Sequence, residues 1–349
     1  MTSTLSRLLR VSIVLLCVTG VGCVREARAQ PYKPEPGPYE ARSVELDLPR
    51  PEGAAALPIR VRFPVGAPGE RPVVVFSHGM GGSSDSFGEL TNHLATHGYV
   101  VILPTHADSV RLQRASDPDA AREIFRDPMA YTRRVRPLDR VADVRLIADE
   151  LAQIERRLSP DAEAPEVRLS RVRLAIAGHS AGAMTAQITI GASIRTGFRA
   201  PREEGDKRFV AAVVISGQGT TSRMFTEQSW KEISEPMLVI AGSEDVSPAS
   251  RETPQSRRHP FEFASPGDKY LLWIEGATHG SYQGKAATRL LGERPTGDIG
   301  MITTATNSAT LAFLDAFVGP EESRETARAY LSGPGISNAS GSKAVITAK

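Results

Sequence analysis

Gly178-His179-Ser180-Ala181-Gly182 is a G-x-S-x-G pentapeptide lying between a stretch with strand character and one with helix character. That setting is what a nucleophile elbow requires. The glycines permit a cramped turn that a Cβ would obstruct. The turn would hold Ser180 Oγ at the carboxyl end of a sheet, and a helix beginning at Ala181 would aim its backbone N–H groups at the same spot. A serine hydroxyl is a poor nucleophile until a base takes its proton. Of the seven histidines, His279 in Gly276-Ala277-Thr278-His279-Gly280 follows the last predicted strand and is the candidate base. His78 and His179 flank turns and read as shaping the site. His106 follows a strand and is placed to line the cleft. His93 and His97 fall on a helix, and His259 in a basic loop.

An imidazole acting as base needs a carboxylate to hold its tautomer and stabilise imidazolium. Asp245, after the apolar run Met237–Ala241, is the first choice and Glu244 the alternative. Asp268 ranks third, since it precedes a strand. Charge developing on a substrate oxygen needs donors as well. The N–H of Ala181, next after the nucleophile, is one. The turn Ser77-His78-Gly79-Met80-Gly81-Gly82 is glycine-rich enough for close backbone approach. It is expected to supply the second donor, Met80 N–H.

The elements that must position these groups follow from periodicity. Pro72–Phe76 is a continuous β-branched run, as expected of a strand buried on both faces. Further strands are predicted at Ser43–Leu48, Ile59–Phe63, Tyr99–Leu103, Val172–Ala177, Phe209–Ile215, Met237–Ala241 and Tyr270–Ile274. Helices are predicted at Asp85–Thr96, Pro137–Leu158, Ala181–Ile194 and Thr304–Phe317, with a loop-rich excursion at Thr105–Tyr131. Such alternation implies a mostly parallel central sheet with helices on both faces. Leu174–Ile194 lacks Asp, Glu, Lys and Arg, but Gly178-His179-Ser180 interrupts it, so a buried strand, turn and helix are expected instead of a membrane span. Phe225 and Trp230 fall in an excursion where a lid is expected, and Trp273 is expected in the core. His106 and Asp108 give two candidate metal ligands without a third at useful spacing.

The chain has 349 residues, with 40% hydrophobic and 23% charged residues, which suits a folded protein. A net charge of +2 gives no case for a nucleic-acid partner. Residues 1–29 read as a signal peptide: Arg7 and Arg10, then a charge-free stretch from Val11 to Val24, then Ala27-Arg28-Ala29 before Gln30. Secretion or export to a periplasm is therefore expected, with lipidation at Cys23 the alternative. Removing that segment takes away four basic residues, one acid and both cysteines, leaving 38 basic against 39 acidic residues. Residues 30–42 form a Pro-rich leader, 43–319 one domain, and the Ser/Gly/Glu-rich residues 320–349 a loose tail.

The turn at Phe76–Gly82, the stretch His97–Val101, Arg136-Pro137-Leu138-Asp139, the elbow, and Met237–Asp245 together resemble the α/β-hydrolase superfamily. They are most similar to the branch of platelet-activating-factor acetylhydrolases and predicted dienelactone hydrolases. The order Ser180, Asp245, His279 matches the triad order of that fold. The resemblance implies Ser180 as nucleophile, Asp245 as acid, His279 as base, and Met80 and Ala181 as oxyanion donors. True dienelactone hydrolases use a cysteine, which the chain after residue 29 does not contain. Arg136 and Asp139 match a family position at a helix start, where an ion pair or cap is expected. The function expected is an exported serine hydrolase of carboxylic esters, with small or lipid-like substrates and no cofactor. Amidase, thioesterase or lactonase activity with the same triad, or a binding protein on a hydrolase scaffold, are the alternatives.

Overall fold

The computed structural model describes residues 30–159, 166–195, 205–222, 224–284 and 296–349. The proposed signal segment and Cys23 lie outside them. In chain order the elements are β1 (Ala41–Leu48), β2 (Leu57–Pro64), β3 (Glu70–Ser77), α1 (Gly88–Thr96), β4 (Val100–Pro104), α2 (Val110–Ser116), α3 (Pro118–Arg126), α4 (Pro128–Tyr131), α5 (Pro137–Asp149), α6 (Leu151–Leu158), β5 (Arg168–His179) and α7 (Ala181–Thr189). There follow β6 (Phe209–Ile215), β7 (Met237–Glu244), α8 (His259–Glu262), β8 (Lys269–Thr278), α9 (Ile299–Phe317), α10 (Glu321–Ser332), α11 (Gly335–Ala339) and β9 (Ala344–Ala348).

The strands form one nine-stranded sheet in the order β1-β2-β4-β3-β5-β6-β7-β8-β9. From β4 across to β8 every neighbouring pair is parallel. β1, β2 and β9 run antiparallel to their neighbours at the margins. Side chains alternate between the faces of a strand, and both faces here are apolar. Val73, Val75, Leu174, Ile176, Val214 and Val239 enter one core with Val141, Val144 and Ile147 of α5. Val74, Phe76, Ala175, Val213, Leu238 and Ile240 enter the other, against Leu90 and Leu94 of α1 and Leu311 and Phe313 of α9. Because both faces must be covered, the strand sequences read as unbroken apolar runs.

Four expectations need correction. The tail beyond Gly319 is not loose: it forms α10, α11 and β9, and β9 pairs with β8 from Tyr270↔Ala348 to Ile274↔Ala344. Its composition is polar, but four of its apolar residues, Ala327, Leu331, Ile336 and Ala344, are buried. The excursion after β4 is helical, in α2, α3 and α4, because Ala121 and Ile124 pack with Val110 and Tyr131. The long helix predicted at Pro137–Leu158 is two, since Glu150 leaves helical geometry at φ −97°, ψ 11°. The Pro-rich leader is tied down as well, with Tyr32 buried and its hydroxyl donating to Asp315 at 2.8 Å.

Candidate active site

Ser180 sits between β5 and α7 with φ 54° and ψ −118°, a region that residues with a Cβ rarely occupy. Its N–H donates to Ile215 O at 3.0 Å, which ties the turn to the neighbouring strand. The flanking glycines are obligatory by geometry. A Cβ on Gly182 would lie 1.9 Å from Ser77 O, and one on Gly178 would lie 2.3 Å from Gly182 O. The elbow is thereby pressed against the end of β3, beside the glycine turn.

Ser180 Oγ stands 2.9 Å from His279 Nε2, and His279 Nδ1 stands 2.9 Å from Asp245 Oδ1. The three side chains come from the carboxyl ends of β5, β8 and β7, one hundred or so residues apart at the extremes. Glu244 is exposed at the end of β7. Asp268 lies at the opposite end of β8 and pairs with Arg328 at 3.3 Å. Neither meets His279 in any of its hydrogen bonds. Met80 and Ala181 both line the cavity that holds Ser180.

Asp245 is fully buried and collects four donors. Burial pushes its carboxyl up, but Arg257 beside it and hydrogen bonds from His279 and Ser216 outweigh this and hold it at about 2. Arg257 Nε lies 2.7 Å from Oδ1, Ser216 Oγ donates to Oδ1 at 2.8 Å, and Tyr282 donates to Oδ2 at 2.9 Å. Asp245 is therefore an anion at any working pH and can stabilise imidazolium without accepting its proton. Ser216 Oγ is also 2.7 Å from His279 Nδ1, so it bridges acid and base.

Ser216, Arg257 and Tyr282 escaped the sequence reading. Ser216 was open to detection, since it directly follows a predicted strand at the edge where sites gather. Arg257 falls in the basic loop of His259, and no local pattern singles out Tyr282. The ion pair expected at Arg136 and Asp139 is present at 2.7 Å but exposed. The buried cation on that helix is the next arginine, Arg140. The expected lid is also corrected: Phe225 and Trp230 are buried in the core, with Trp230 Nε1 donating to Gln187 at 2.8 Å. Trp273 is only half-buried, on the outer face of β8, where Arg258 lies 5.4 Å over its ring.

His179 and His78 shape the site as expected. His179 Nε2 donates to His279 O at 2.8 Å, and burial with His279 nearby holds its pKa at about 3. His78 Nε2 accepts from His106 N–H at 3.0 Å, so its Nδ1 carries the proton and donates to Gly79 O at 2.6 Å. The cavity over Ser180 measures about 480 Å³. Met80, Met129, Met184 and Met224 give it a deformable apolar wall, and Gln218 and Glu252 a polar one.

The family model described as Chlorophyllase matches residues 33–193. That stretch carries the glycine turn, Arg140 and the elbow on a mostly parallel sheet. The chain has an α/β-hydrolase fold. The resemblance read from the motifs is borne out, and the chain stands among hydrolases of the α/β class. This hydrolase carries Asp245 and His279 beyond the matched stretch, so their assignment rests on geometry. A search of curated proteins finds no match.

Proposed function

We propose that this α/β-hydrolase is an exported serine hydrolase of carboxylic esters. The observation that carries the reading is the pair of contacts Ser180 Oγ–His279 Nε2 and His279 Nδ1–Asp245 Oδ1, each 2.9 Å. His279 takes the proton of Ser180 as its oxygen attacks the ester carbonyl. The carbonyl oxygen becomes an anion, held by the N–H groups of Met80 and Ala181. His279 then gives its proton to the departing alcohol. Water, activated by the same nitrogen, releases the acid from Ser180. Every step uses side chains and amides of this chain and calls on no cofactor.

A cavity of about 480 Å³ with a methionine wall suits a mid-sized apolar acyl or alcohol group. The family description makes chlorophyll one substrate to include beside p-nitrophenyl esters of rising acyl length. Ser180→Ala should abolish p-nitrophenyl acetate hydrolysis and leave the circular dichroism spectrum unchanged. Retention of most turnover in that variant would overturn the reading. Export is supported by residues 1–29, and mass spectrometry of the mature protein should find Gln30 at the N-terminus.

A further inference from the structure

The turn Ser77–Gly82 is held from behind by one buried guanidinium. Arg140, on α5, is 2% exposed, as is its partner Asp108, which follows β4. The pair is bidentate, with Nε to Asp108 Oδ1 at 2.9 Å and Nη2 to Oδ2 at 2.8 Å. The remaining N–H groups reach the turn. Nη1 donates to His78 O at 2.6 Å, and Nη2 approaches Gly79 O at 3.4 Å. Asp108 completes the grip, since its Oδ2 accepts from Gly81 N–H at 3.1 Å. Two carbonyls and one amide of a six-residue turn thus end on a single ion pair.

We infer that Arg140, locked by Asp108, is a positioning residue for the oxyanion donor Met80 N–H. The inference rests on the ester-hydrolase reading above. In a trans peptide the C=O and the next N–H point in opposite directions. Gly79 O is drawn toward Arg140, His78 Nδ1 and Gly82 N–H, the last at 3.1 Å. Met80 N–H must then point the other way. A donor preset in this manner costs no reorganisation when charge develops. The planar fork is needed, because a lysine cannot bind a carboxylate by two parallel bonds and still reach two carbonyls.

The test compares Arg140→Lys and Asp108→Asn with wild type on p-nitrophenyl esters. Each variant is also titrated with a trifluoromethyl ketone, whose carbonyl oxygen becomes the anion once Ser180 adds. Both variants should fold, lose about 100-fold in kcat and keep KM within about twofold, as for loss of one oxyanion donor. Ketone affinity should fall in parallel with kcat/KM. Folded variants with kcat within threefold of wild type would overturn the inference. So would a fall in kcat with ketone affinity unmoved, or failure of both variants to fold, which would assign the pair to stability alone. Absence of turnover in wild type itself would overturn the ester-hydrolase reading, and this inference with it.

Discussion

Arg257 Nε lies 2.7 Å from Asp245 Oδ1, with side-chain exposures of 1% and 0%. The carboxylate that orients His279 is thus half of a sealed ion pair, and the arginine belongs to the site as much as the acid does. Arg257 also donates to Ser216 O at 2.8 Å, which links the ends of β6 and β7. A buried pair of this kind adds little over well-packed apolar residues, but removing one partner strands the other charge.

Arg257→Met should therefore destabilise the fold by about 3–5 kcal/mol, the usual cost of breaking a buried pair from one side. Urea denaturation measures it. A change below about 1 kcal/mol would mean that Asp245 is compensated by its hydrogen bonds alone. Arg257→Lys should lose less stability, because the charge stays.

Tyr282 donates to the outer oxygen of the same carboxylate at 2.9 Å. Tyr282→Phe removes only that hydroxyl. A hydrogen bond to a charged group contributes about 1.5–3 kcal/mol, so a loss of that size is expected. Since His279 contacts Oδ1 and not Oδ2, kcat should fall less than tenfold. Thermal melts and ester kinetics on one preparation report both numbers.

The glycines of the elbow give a sharp contrast. Gly182→Ala would push a Cβ to 1.9 Å from a backbone oxygen that cannot move aside. It should yield inactive or insoluble protein. Gly300, in the first turn of α9, has its nearest neighbour at 3.6 Å. Gly300→Ala should raise stability by up to about 1 kcal/mol through the unfolded chain. Equal behaviour of the two would contradict the packing described for Ser77 and Gly182.

Acid should destabilise the fold below pH 6.5. Burial holds His179 at about 3 against an ordinary 6.5, so between those values the unfolded chain binds a proton that the native state does not. The folded-state pKa is depressed, so stability is full above 6.5 and falls as pH drops toward 3. The limit for this one group is about 5 kcal/mol. His78 and His106 are pushed down by burial and by Arg140 and add to the same trend. The slope of unfolding free energy between pH 6 and 4 should flatten by about one proton in a folded His179→Gln variant. An unchanged slope would show that His179 is not held neutral.

Much of the architecture was readable from residues alone. β-branched runs such as Pro72–Phe76 declare strands buried on both faces, and Ser180 between two glycines declares its turn, because both signals are local. The candidate nucleophile, base and acid were also readable, since each follows a strand and the chain order matches a known pattern. The readings that failed share one cause. Leu331, Ile336 and Ala344 are scattered through a polar tail, and their burial depends on what α10, α11 and β9 meet. Trp273 and Trp230 have the same residue type and opposite fates, because sheet register and helix packing choose which face is covered.

Residue types and their order along the chain thus suffice for the sheet, the elbow and the three groups proposed to do chemistry. They do so because strand periodicity and turn sterics act within a few residues. The surroundings of those groups come from folding over long separations. Arg257 reaches Asp245 across 12 residues, and Tyr282 across 37. Arg140 reaches the turn at His78 across 62. Nothing in a neighbouring residue marks an arginine as buried or exposed: Arg136 lies in solvent and Arg140 in the core, four positions apart. Electrostatics inside a protein depends on which charges meet in a dry interior, and only the packed chain specifies that.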